Sequence, residues 1–151
     1  MRKLWAAALA LVSALAFLVI GSTPANAFGS EVLGCSINYP WTANSCHSNA
    51  ALADGKPVYA NFSAQNLSGT YATSWTITTG TGAAVTQSCT PYNSLCIESG
   101  CTASSLACQI RWSVGYQDRT LTAVLRLTQS GQTRTVTAKA TIYEGTGCNL
   151  C

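Results

Sequence analysis

The chain reads as an all-β protein: an antiparallel β-sandwich of six to seven strands, braced by disulfides. Three observations predict this. Apolar residues recur with period two in several short segments between residues 33 and 142. Turn-forming residues separate those segments. All eight cysteines lie beyond an N-terminal segment that reads as a cleavable export signal.

The strand segments follow in order. Leu33, Cys35, Ile37 and Tyr39 fall on one face of a first strand. In the second, Val58, Ala60, Phe62 and Ala64 alternate with Tyr59, Asn61, Ser63 and Gln65, and Asn66-Leu67-Ser68-Gly69 reads as a turn. Tyr71, Thr73, Trp75 and Ile77 then face one way, with Ala72, Ser74, Thr76 and Thr78 opposite. Ala83-Ala84-Val85-Thr86 is expected to form a short edge strand. Ile110, Trp112, Val114 and Tyr116 share a face further on. The clearest unit is 120–143. Leu121, Ala123, Leu125 and Leu127 point inward, Gln129-Ser130-Gly131-Gln132 turns the chain, and Val136, Ala138, Ala140 and Ile142 return. Threonines dominate the opposite face, the pattern of a half-buried hairpin. Beyond the export segment the only helical expectation is a single turn over 47–54.

Residues 1–27 carry the targeting information. Met1-Arg2-Lys3 is basic, Leu4–Ile20 is apolar throughout, and Ala25-Asn26-Ala27 is a small-x-small cleavage site. Val32-Leu33-Gly34-Cys35 faintly resembles a lipidation box, but a polar stretch separates it from the apolar run. Modifying Cys35 would also leave an odd number of cysteines. The expected product is a single secreted domain, 28–151, with no membrane attachment after cleavage. Its six basic residues (Lys56, Arg111, Arg119, Arg126, Arg134, Lys139) nearly balance five acidic ones. So weak a charge gives no reason to expect nucleic acid or an anionic membrane as partner.

In an oxidising compartment the cysteines are expected to pair. They form three groups: Cys35 and Cys46; Cys89, Cys96, Cys101 and Cys108; Cys148 and Cys151. Eight cysteines allow about 105 connectivities. Local closures would join Cys35 to Cys46 and Cys148 to Cys151, with two bridges inside the middle group. Bridges from the middle group to the termini satisfy the spacing equally. Cys148-Asn149-Leu150-Cys151 has the spacing of a redox or zinc pair, but it lacks the strand-to-helix setting of the first and the further ligands of the second. No metal or other cofactor is expected.

Segment 89–108 shows no strand alternation and reads as a long loop pinned by four cysteines. A pinned loop loses less entropy on meeting a partner. Tyr92, Leu95, Ile97 and Glu98 are its candidate contact residues. Trp41, after Tyr39-Pro40, is the one tryptophan of the mature chain outside any alternating segment, and so a candidate platform for a sugar ring. Catalysis is not expected. His47 is the sole histidine, flanked by Ser45, Cys46 and Ser48 and followed by Asp54, and no nucleophile-elbow motif is present. The acids Glu31, Asp54, Glu98, Asp118 and Glu144 show no pairing suited to glycoside cleavage.

The layout resembles immunoglobulin-like domains, with Trp75 in the place of their central-strand core tryptophan. The strand before it (57–66) has no cysteine, so the usual inter-sheet bridge is not expected there. With its Ala-rich signal, Thr-rich neutral mature part and cysteine density, the chain also resembles small exported proteins of Gram-positive actinobacteria. In size, export and sandwich layout it is similar to the adaptor subunit of streptomycete umbrella toxins. That resemblance implies a non-enzymatic interaction module whose partner is another secreted or cell-surface protein. Protease inhibition is a second role of the same class, with Leu95 to Glu98 entering an enzyme cleft. Binding of polysaccharide or cell wall through Trp41 and neighbouring tyrosines is the alternative, and a hydrolase built around His47 a third.

Overall fold

The computed structural model describes residues 28–38, 40–48, 57–112 and 119–143. Within them the alternating segments become nine strands, and no helix is present. In chain order these are β1 (Val32–Ser36), β2 (Thr42–Ala43), β3 (Ser45–Ser48), β4 (Val58–Gln65), β5 (Ala72–Thr79), β6 (Leu95–Gly100), β7 (Ala107–Trp112), β8 (Thr120–Gln129) and β9 (Gln132–Ile142). One sheet has the order β2-β1-β4-β7-β6 and the other β3-β9-β8-β5. Pairings are antiparallel except β3 with β9, which is parallel.

The inward faces are those that the alternation marks. Leu33, Cys35, Ile37, Ala60, Phe62, Ile110 and Trp112 from the first sheet meet Ile77, Leu121, Ala123, Leu125, Leu127, Ala138, Ala140 and Ile142 from the second. Each is at most 3% exposed, so a well-excluded apolar layer separates the sheets. Ser130 and Gly131, both at positive φ, close the β8–β9 hairpin, as a two-residue primed turn requires.

Four expectations are corrected. Among the described residues the strands number nine, because the chain between Thr42 and Ser48 contributes two short strands that alternation over so few residues does not reveal. One of them, β3, includes His47 and Ser48, which a single helical turn had claimed; residues 49–54 lie outside the described residues. Segment 89–108 is not a structureless loop: it holds β6 and the start of β7. Ala83–Thr86 is not a strand; it touches β5 through one bridge, Thr78 to Ala84.

Trp75 faces inward, but β5 is an edge strand and the indole is only half-buried, its Nε1–H donating to the Ser105 carbonyl at 2.7 Å. Among the described residues the fully buried tryptophan is Trp112. β1 and β3 lie in different sheets, so the first part of the chain is divided between the two layers.

Among the described residues three disulfides are present: Cys35–Cys46, Cys89–Cys96 and Cys101–Cys108. The first joins β1 to β3 and therefore one sheet to the other. All three are local closures. Residues 1–27, Tyr39, Asp54, Val114, Tyr116, Asp118, Glu144, Cys148 and Cys151 lie outside the described residues.

Candidate interaction site

The connection from β5 to β6 crosses from one sheet to the other over the open side of the sandwich. It seals both edge strands on the way. Val85 donates to the Ile77 carbonyl of β5 at 2.9 Å, and Thr79 donates to Ala83 at 2.9 Å. The chain then reaches β6, where Ile97 donates to Gln87 at 2.8 Å and Cys89 donates to Ile97 at 3.0 Å. Exposed strand edges invite pairing with other chains, and covering them is a standard protection. The Cys89–Cys96 bridge makes that cover covalent on the β6 side.

Between the bridged cysteines the chain makes a tight turn, 90–94. The Thr90 hydroxyl donates to the Asn93 side-chain oxygen, and the Tyr92 N–H donates to Thr90 Oγ1 at 3.3 Å. The Asn93 amide donates to Gln87 Oε1 at 3.0 Å and to the Ser88 carbonyl at 3.3 Å. An Arg111 guanidinium N–H donates to the Thr90 carbonyl. These bonds and the disulfide hold Tyr92 out at 93% exposure, the most exposed large hydrophobic side chain among the described residues. Beside it opens a cleft of about 460 Å³, lined among others by Thr79, Val85, Gln87, Asn93 and Leu95.

The candidate contact residues part company here. Tyr92 and Glu98 lie on the surface, Glu98 in an ion pair with Arg111 at 3.6 Å. Leu95 and Ile97 turn inward and pack, half-buried, against the core. Their alternation about Cys96 marks a strand, but the crowding of cysteines hides it in the sequence. Trp41 stands elsewhere, beside β2 at the far margin of the same sheet. With strands about 4.8 Å apart, β1 is roughly 14 Å from β6. It is half-buried, its ring over Gly34 and its Nε1–H donating to the Ser63 carbonyl at 3.4 Å.

His47 is exposed on β3, with its ring 5.7 Å from that of Tyr143. Its neighbour Cys46 is in a disulfide, and Ser48 faces the interior at 1% exposure. Among the described residues, Cys89, Cys96 and Glu98 cluster closely, but both sulfurs are committed to the disulfide and offer no thiolate to a metal.

Sequence reading missed Asn93, whose bonds to Gln87, Ser88 and Thr90 are local, and Arg111, whose bond to Thr90 depends on β7 lying beside β6. It counted Glu31 among the acids without finding its buried setting. That carboxylate is 4% exposed; it accepts from the Gly29 N–H at 2.8 and 3.0 Å, from the Tyr71 hydroxyl at 3.3 Å and from Arg134 at 3.2 Å. Burial pushes its pKa up. Hydrogen bonds from the backbone N–H groups of Glu31 and Gly29 and from Tyr71, with the Arg134 charge, outweigh that and leave it below the ordinary 4.5.

No known protein family matches the chain, and no curated protein matches it. Among the described residues no helix is long and apolar enough to cross a membrane. Three disulfides are compatible with an extracellular setting.

Proposed function

We propose that the chain is a secreted, non-enzymatic interaction module that binds another extracellular protein through the turn at Tyr92. The observation that carries this reading is a nearly fully exposed tyrosine on a turn held by a disulfide and five side-chain hydrogen bonds. Exposing a large aromatic ring to water has a cost, and a freely moving loop would reduce it by folding the ring down. Here the backbone is held, so the ring stays presented. Tyrosine is enriched among residues that dominate binding energy, because it covers much area while ordering few torsions. The cleft beside it offers a recess for a partner side chain.

Within this class an adaptor role, as in a secreted toxin complex, is favoured over protease inhibition by Leu95–Glu98. Inhibition in that form needs the segment to enter an enzyme cleft. It lies instead in β6, paired with β7 on one side and with Gln87–Cys89 on the other, and two of its side chains are packed inward.

The test is affinity capture from culture supernatant with the wild-type protein and Tyr92→Ala. A stoichiometric partner held by the first and lost with the second, at unchanged Tm, is the expected outcome. Equal capture by both, or none by either, overturns the reading.

A further inference from the structure

The outer face of the five-stranded sheet carries a second recess, independent of the Tyr92 turn. Its volume is about 240 Å³. Small residues from three strands line it: Ser63 on β4, its cross-strand partner Ala107 on β7, and Gly100 on β6, which pairs with Cys108. At Gly100, with φ of 74°, an added Cβ would run into the Ala107 carbonyl, so that position is kept bare by steric necessity.

One long side is an amide pair: Gln109 Nε2 donates to Asn61 Oδ1 at 2.6 Å. That bond leaves the Asn61 NH₂ as a donor and the Gln109 oxygen as an acceptor on two side chains that hold each other in place. Ser99 adds a hydroxyl on the same side. Trp41 is not among the residues that line the recess but adjoins it on the β1 side, anchored through Ser63, whose cross-strand neighbour Gly34 it covers. None of the nine residues lining the recess is charged. The nearest charges on this face, Arg111 and Glu98, are paired with each other.

We propose that this recess binds a neutral saccharide. The chemistry selects that class in three ways. A pyranose ring has an apolar C–H face that gains by leaving water against an indole. Each of its hydroxyls both donates and accepts, so the hydroxyls of one ring satisfy both the Asn61 donor and the Gln109 acceptor. An uncharged lining offers an anionic glycan or nucleic acid no compensation for its lost hydration. An extended peptide would use a strand edge; this recess is on a sheet face, and its backbone groups are occupied by the β4–β7–β6 ladders. The proposal does not depend on the Tyr92 reading, since the two sites share no residue.

NMR titration of the isotope-labelled secreted protein tests it, with the N-acetylglucosamine hexamer and the cellulose hexamer as probes. The Trp41 indole N–H and the side-chain amides of Asn61 and Gln109 are themselves observable reporters. Saturable shifts at these three, with at least one probe, are expected. Asn61→Ala and Trp41→Ala should each weaken binding about tenfold, while Tyr92→Ala leaves it unchanged. Neither substitution removes a core side chain, and Asn61→Ala leaves the Trp41 seat intact. Absence of shifts with both probes at millimolar concentration, shifts that map away from these residues, or wild-type affinity in both variants would overturn the assignment.

Discussion

A methyl group added at Gly34 would collide with the six-membered ring of Trp41 and with the Thr42 carbonyl. One of those neighbours is backbone in the β1–β2 pairing, so relief requires the short strand or the indole to move. Gly34→Ala is expected to cost about 1–3 kcal/mol, measured by chemical denaturation, and to redden tryptophan emission as the ring is displaced into water. Glu31 is the other residue whose surroundings dictate a measurable response. Its folded-state pKa lies below 4.5, so its ionised form stabilises the fold at any pH above 4.5. That contribution declines as pH falls below 4.5 and is gone once pH passes through the lowered value. Glu31→Gln removes the charge that faces Arg134 and should cost about 2 kcal/mol at neutral pH. Thermal melts between pH 7 and pH 2 should show the wild type losing its advantage over the variant across the acid end of that range. An unchanged gap would mean that the carboxylate is not held as the structure has it.

Among elements, β6 shows how much a strand depends on what borders it. It is six residues long, lies at a sheet margin and shifts register between Ile97 and Ser99. Its outer side is occupied by Gln87–Cys89, with Cys89–Cys96 fastening the cover. Replacing both cysteines of that bridge with alanine should remove about 2 kcal/mol of loop-closure stabilisation, given its separation of seven residues. Hydrogen exchange should then quicken at the amides of Cys96→Ala's neighbour Ile97 and of position 89, which bond across the seal. The same variant should lose affinity for a partner that recognises Tyr92, because the ring would no longer be held out. Exchange unchanged at Ile97 would show that the hydrogen bonds alone keep the edge closed.

For the molecule as a whole, the question is how the core and the disulfides share the stability. The bridges close separations of 11, 7 and 7 residues. Each contributes about 2–3 kcal/mol by restricting the unfolded chain. Together that is of the same order as the whole stability of an ordinary domain. Full reduction is therefore expected to lower Tm by on the order of 20 °C, read by circular dichroism with and without reductant. Cys35–Cys46 should matter beyond its loop length, since it joins the two sheets where the chain first passes between them.

What sequence alone determined follows from period and composition. A strand turns alternate side chains to opposite faces, so Val58 to Ala64 and Leu121 to Ile142 announce both their conformation and their buried side. Two layers follow, because each half-apolar sheet needs another to cover it. Local cysteine spacing made the three observed bridges one of the allowed patterns, without choosing among the others. Tertiary structure alone decided the rest. Trp75 and Trp112 carry the same alternation signal, yet one lies on an edge and the other in the middle of the core, because strand order is set by long-range pairing. Leu95 and Ile97 turn inward only because β7 is there to receive β6. The Asn61–Gln109 pair joins residues 48 positions apart, and no local pattern encodes a contact that exists only after β4 and β7 have met.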